Sequence, residues 1–465
     1  MSNLLRKPKQ VQNINSLGQY EKFSLSENPF PSEPTVNKES TDKRINGNIY
    51  EMQIRENEIN LILTNFIKTP QTNLNHLRLG YIIDTSYIGR GNGKSAFLLN
   101  LLHKINNEFC LDLSEGQNKC FGAYLSPEPG GRTKTFISFV DCIFDSILKS
   151  NIISTTLATL RLEVIASLYP NKLPEDNSES NLVELLNTEN WYVQNNISYS
   201  QIQSEIIKNI NFKDLSNDFP IFYGLNTFYP KLVTQDDFVQ YYKNLKKPKA
   251  RIDFIFSDLV KFFLAGNFNG AYILVDDFER IPDFQSSRQK KDFALELRSC
   301  LYDGLFTGAK IGFYNLFLVL HAGVPRLISD AWAASGLENR APITQLNYKH
   351  IILFEKLSKE HVVLLLKKYL NEYRIDSNKE NSLYPFTEGA VNKMGELSEF
   401  NAAKILRMAY ELLEKASLST SINIIDEDFI SDNRGIGEIG EEQELNIGSV
   451  KTTDLLGKAR GEEKE

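Results

Sequence analysis

Two rhythms of apolar and polar positions run along the chain. Nearly continuous apolar runs at GYIID (80–84), GAYLSP (122–127), AYILVDD (271–277), NLFLVLHAG (315–323) and HIILFEKLS (350–358) read as strands. Between them apolar residues recur at helical spacing: Ile59, Leu61, Ile62 and Phe66 in 54–68, then the stretches 95–106 and 132–149. Continuous apolar strands between helices predict a parallel sheet covered on both faces, hence an α/β fold in three layers. After 358 only the helical rhythm remains, at 359–373, 389–398 and 401–417.

These patterns divide the chain. Residues 1–46 hold Ser, Asn and Pro clusters without apolar period, and are expected to form a disordered N-terminal tail, with Tyr20, Phe23 and Phe30 as docking points. An α/β core is expected over 47–150 and 271–358, with a mostly helical insertion at 151–270. A helical lid is expected at 359–431. The stretch 432–465 has nine acidic and five basic residues and reads as a solvated, disordered acidic tail.

Charge and composition narrow the class. The net charge of −7 excludes a globally basic nucleic-acid binder, although the acidic tail carries −4 of it and leaves the body nearly balanced. Four cysteines without C-x-x-C spacing argue against a zinc module or a disulfide scaffold, and five scattered histidines show no metal spacing. No apolar run approaches a membrane span, so a cytoplasmic protein without membrane contact is expected.

The chemistry concentrates after the first strand. Gly89-Arg90-Gly91-Asn92-Gly93-Lys94-Ser95-Ala96 stands between a strand and a helix, the context of a phosphate-binding loop. Glycines let backbone N–H groups turn toward a phosphate, and the helix dipole favours the same anion. Lys94 is placed to reach the β- and γ-phosphates of ATP, and the Ser95 hydroxyl to enter a Mg²⁺ shell. Ile88 stands where such loops begin with glycine, and Gly89 follows one position late.

YILVDDFERI (272–281) supplies acids at the end of an apolar strand. Asp276 is assigned to the Mg²⁺ shell and Asp277 to the water-activating position, with Glu279 in reserve. His321, at the end of NLFLVLHAG, is a candidate to sense the γ-phosphate. Arg326 and Arg340 are candidate fingers toward a neighbouring subunit, Arg340 the preferred one. Lys404 and Arg407, three apart on one helix, are candidates to reach back to the nucleotide, Lys404 preferred. GGRTK (130–134) and SSRQKK (286–291) are basic and offer local contacts for DNA or a peptide.

RGNGKSAFLLNLL, YILVDDFERI, NLFLVLHAG, HIILFEKLSKEHVVLLLKKYL and FNAAKILRMAYELL together resemble the AAA+ P-loop ATPases. Within them the pattern is most similar to origin-recognition initiators and transposition-regulator ATPases, over roughly residues 50–150 and 270–430. The Asp-Asp pair also resembles STAND and KAP-type signalling NTPases. The resemblance implies an ATPase of slow or partner-stimulated turnover. It would couple nucleotide state to homo-oligomerisation and to remodelling of a DNA or protein complex. The alternative is a nucleotide-gated switch with little turnover.

Overall fold

The apolar runs form five strands: β1 (Leu79–Asp84), β2 (Lys119–Leu125), β3 (Phe268–Val275), β4 (Tyr314–His321) and β5 (Ile351–Phe354). They belong to a computed structural model that describes residues 18–67, 76–85, 91–174, 178–212, 232–344 and 349–433. All pair in parallel, in the order β2-β3-β4-β1-β5. Every position of β1 is buried, and every position of β4 except His321. Burial on both faces is why these runs lack polar alternation.

Leu79, Tyr81 and Ile83 of β1, with Ile273 and Val275 of β3, share one core with Phe139, Val140 and Ile143 of the helix Phe136–Lys149. On the opposite face the Phe66 ring, just past the helix Glu56–Asn65, lies 4.9 Å from that of Phe317. Any side chain at Gly80 would collide with both rings, so glycine here lets the layer close on the sheet.

By its contacts the chain divides into two compact units. One holds the sheet: its described residues are 57–67, 76–85, 101–174, 178–212, 232–344 and 349–354. The helices from Ile152–Leu168 to Leu259–Ala265 belong to this unit. Leu157, Phe254 and Phe262 join the same core as the strands, so this segment has no separate core of its own.

The other unit contains residues 18–56, 91–100 and 355–433. Its helices Lys359–Glu372, Glu388–Leu397, Ala402–Leu418 and Glu427–Asp432 enclose a second core. The tail expected over 1–46 is corrected across its described part. Phe23, Leu25 and Phe30 are completely buried in this core. The backbone is tied in as well: Ser26 N donates to Tyr373 O at 2.9 Å, and Ile375 N to Ser24 O at 3.0 Å. Phe30 stacks on Tyr369 and meets Phe386 edge-on, with centroids 6.1 and 6.0 Å away. A few large aromatics supply the buried area that an average over the segment hides. Residues 1–17 and 434–465, with most of the expected acidic tail, lie outside the described residues. No helix among the described residues is long and apolar enough to cross a membrane.

Candidate functional site

The order of the strands creates a switch point in the sheet. The chain leaves β1 for β2 at one side of the sheet, and leaves β4 for β5 at the other. The adjacent carboxyl ends of β1 and β4 therefore form a topological switch point, where open α/β sheets bind ligands. Asp84 and His321, the last residues of these strands, are paired in register. Asp84 is completely buried.

Beyond β1, Gly89 and Arg90 lie outside the described residues. Gly91 and Gly93 have φ of +104° and +83°, the left-handed region that favours glycine. The helix Lys94–Lys104 starts immediately afterwards, with Ser95 and Ala96 in its first turn. Its N-terminus directs partial positive charge at the loop. Asn92 and Lys94 are both buried.

Within its own unit this loop is held by the start of the helix Ala402–Leu418. Ala403 N donates to Gly91 O at 2.9 Å, and Asn401 Nδ2 to Asn92 Oδ1 at 3.4 Å. A Cβ at Gly91 would sit 2.7 Å from Asn401 Oδ1 and 2.8 Å from Ala403 Cβ. Asn401 also caps the helix by accepting from Lys404 N at 3.2 Å. Lys404 thus stands in the first turn of the helix that grips the loop, half-buried. Arg407, one turn on, is spent on Glu411 at 3.0 Å.

The acids after β3 are arranged unequally. Asp276 is buried; its Oδ2 accepts from Tyr124 Oη at 2.8 Å and its Oδ1 from Asp277 N at 3.0 Å. Burial and the Asp276 carboxylate hold the Tyr124 hydroxyl far above its ordinary pKa, so it donates. Asp277 takes a left-handed turn at φ +47° and its carboxylate pairs with Arg280. Arg280 is fixed in turn by Pro127 O at 3.1 Å.

Glu279, in the 3₁₀ turn Phe278–Arg280, folds inward and is 8% exposed. Its Oε1 lies 2.8 Å from His321 Nε2, whereas its Oε2 is buried without a hydrogen-bond partner. A buried acceptor left open costs about 1–3 kcal/mol. Nearby, burial first and then the Glu279 charge push the Asp283 carboxyl up to about 6.

The structure thus brings Glu279 and His321 together at the carboxyl ends of β3 and β4, with Asp276 and Asp277 in the same turn. Arg340 is elsewhere in this unit. It is exposed, beside Ala341, whose carbonyl accepts from Tyr81 Oη at 2.8 Å. It lines an open cleft of about 480 Å³ with Arg298, Asp303, Gly336 and Asn339. Its charge is felt by Arg78, which directly precedes β1. Arg340 is therefore at the amino edge of the sheet and does not meet Asp276, Asp277 or Glu279 of its own chain. Arg326 is exposed in the first turn of the helix Val324–Ser335.

The two basic segments adjoin. Gln285 Nε2 donates to Lys134 O at 2.6 Å, and a Cβ at Gly131 would strike Phe284. SSRQKK is the capped start of the helix Ser287–Leu301, with Ser286 and Gln289 forming the capping box.

Sequence reasoning missed Tyr124, Asp84, Asp283 and Asn401. Asp84 carried a usable signal, an acid closing an apolar run. Tyr124 and Asn401 carried none, because their partners are distant in sequence. No family model matches the chain, and no curated protein or solved structure does so either.

Proposed function

We propose that the chain is an ATP-binding, AAA+-like NTPase that couples nucleotide state to oligomerisation and to remodelling of a DNA or protein complex. One observation carries the reading: β3, which acids follow, lies beside β4, which ends in a histidine, and β4 lies beside β1, whose following loop reads Gly-Asn-Gly-Lys-Ser. In this reading Lys94 neutralises β/γ-phosphate charge, and the amides at the helix N-terminus bind phosphate oxygens. A hydroxyl and a buried carboxylate, Ser95 and Asp276, are oxygen donors suited to Mg²⁺ and its water shell. When bound, the ion would neutralise charge developing on the phosphates. In this reading Lys404 serves as a second cation for the nucleotide, and Arg340 as a finger for a neighbouring copy.

The test is binding of a fluorescent ATP analogue by wild type and Lys94→Ala. Wild type binds, and the variant loses about 100-fold or more in affinity, because a charge-assisted phosphate contact is gone. Undiminished binding by Lys94→Ala overturns the reading. Turnover with and without duplex DNA, alongside oligomeric state, then separates a DNA remodeller from a protein remodeller. A second reading, a nucleotide-gated switch with little turnover, draws on the engagement of Asp277 by Arg280.

A further inference from the structure

Three acids follow β3 within four positions, and their surroundings assign them different work. Asp277 is turned by its left-handed backbone toward Arg280, and the guanidinium takes up its charge. Arg280 has its own anchors on Pro127 O and Ser126 Oγ, at 3.1 and 3.4 Å, so the pair is locked from both sides. The Asp277 Oδ2 is thereby already engaged.

Glu279 differs. It is more than nine-tenths buried, yet one oxygen has no donor. The other is held by His321 Nε2 at 2.8 Å, and the nitrogen must be the donor because a carboxylate only accepts. His321 ends β4 at the switch point, so it ties Glu279 to the end of a central strand. Asp283 and Lys290 are the other charged groups of the cluster, and neither bonds to the open oxygen.

We infer that Glu279, oriented by His321, is the carboxylate that activates the attacking water, in place of Asp277. This rests on the nucleotide reading above and deepens it. The water oxygen attacks the γ-phosphorus of the nucleoside triphosphate. The bond from that phosphorus to the β,γ-bridging oxygen breaks, and the diphosphate leaves with the electron pair. The water proton passes to Glu279 Oε2 and then to the released phosphate, so one water is consumed and no other reactant is needed. The open oxygen waits for an O–H donor, and water is that donor. His321 is a positioning residue: its N–H fixes the rotamer and directs the free lone pairs of Oε2.

The test uses the full chain, with steady-state phosphate release and fluorescent-ATP binding measured in parallel. Glu279→Gln keeps analogue affinity within about twofold of wild type and loses about 100-fold or more in kcat, as expected for removal of a general base. Asp277→Asn costs less, under about tenfold. His321→Ala lowers kcat about tenfold with KM unchanged, and His321→Gln, whose amide can still donate, recovers most of it. That rescue separates positioning from packing.

Near-wild-type turnover by Glu279→Gln overturns the inference, and so does a larger loss in Asp277→Asn. A wild-type chain that binds ATP but never turns it over also overturns it, while the binding reading stands. Absence of nucleotide binding by wild type fells both, and the binding assay reveals that before any kinetics.

Discussion

The two ends of the same strands carry polar groups in opposite states. At the amino ends the groups close on the protein. His76 Nε2 meets Asn315 Oδ1 at 2.9 Å, and Asn315 Nδ2 donates to Ala271 O and Phe313 O at 3.3 and 3.2 Å. Arg78 donates to Leu301 O and, at 2.6 Å, to Ala309 O. His350 Nδ1 meets Leu79 O at 2.6 Å, and burial holds its ring below the ordinary pKa, hence neutral. At the carboxyl ends a charged carboxylate is half closed, with Glu279 Oε2 open.

The Tyr302 hydroxyl near Arg78 is unpaired too, but a neutral hydroxyl is much cheaper to leave open than a carboxylate oxygen. The contrast teaches how to separate polar residues that build the fold from those reserved for chemistry. At the amino ends the histidines, Asn315 and Arg78 are bonded within their own chain, whereas Glu279 Oε2 at the carboxyl ends is not.

The strongest way to break this contrast is at the saturated end. Arg78→Ala strands two buried carbonyls and should cost about 3 kcal/mol of stability by chemical denaturation, with turnover per folded molecule unchanged. A stable Arg78→Ala chain with altered turnover would erase the distinction. At the open end the sign reverses. Glu279→Gln removes a buried charge while its amide oxygen still accepts from His321, so stability should hold or rise by up to about 1 kcal/mol.

The smallest effect sharpens the picture through pH. The Asp283 carboxyl is pushed up to about 6 in the folded chain, so its charged form costs stability above that pH. Asp283→Asn should therefore stabilise by about 1 kcal/mol at pH 7.5, an amount reduced for the group's partial exposure. The gain should shrink to a small fraction of that by pH 4, where the folded chain holds the proton and the unfolded chain, near the ordinary carboxyl pKa of about 3.9, is about half protonated. Melting at the two pH values decides it, and a gain at pH 4 equal to that at pH 7.5 contradicts the cause given.

Much of the α/β unit was legible because its signals are local. Buried parallel strands must be apolar at every position, and LGYIID and YNLFLVLH say so without help. The N-terminal segment was not legible. Its Ser, Asn and Pro clusters conceal Phe23, Leu25 and Phe30, whose burial depends on helices more than 300 residues away. The insertion misled differently, since helical spacing is visible in it but the sharing of the sheet's core is not.

At the candidate site the acids and the histidine could be named from the chain, but not ranked. Asp277 and Glu279 stand two apart and read alike. A left-handed turn and an arginine engage one, while a histidine on the next strand and an empty acceptor mark the other.

By itself, then, the sequence determined the strands, the helices and the loop glycines, through hydrophobic period and backbone freedom, which act over a few residues. Tertiary structure alone decided which polar atoms are satisfied. That property depends on partners 42 to 309 residues apart, such as His321 for Glu279, Tyr124 for Asp276 and Asn401 for Asn92. Hydrogen bonds are short and directional, so only the folded geometry closes them or leaves one open.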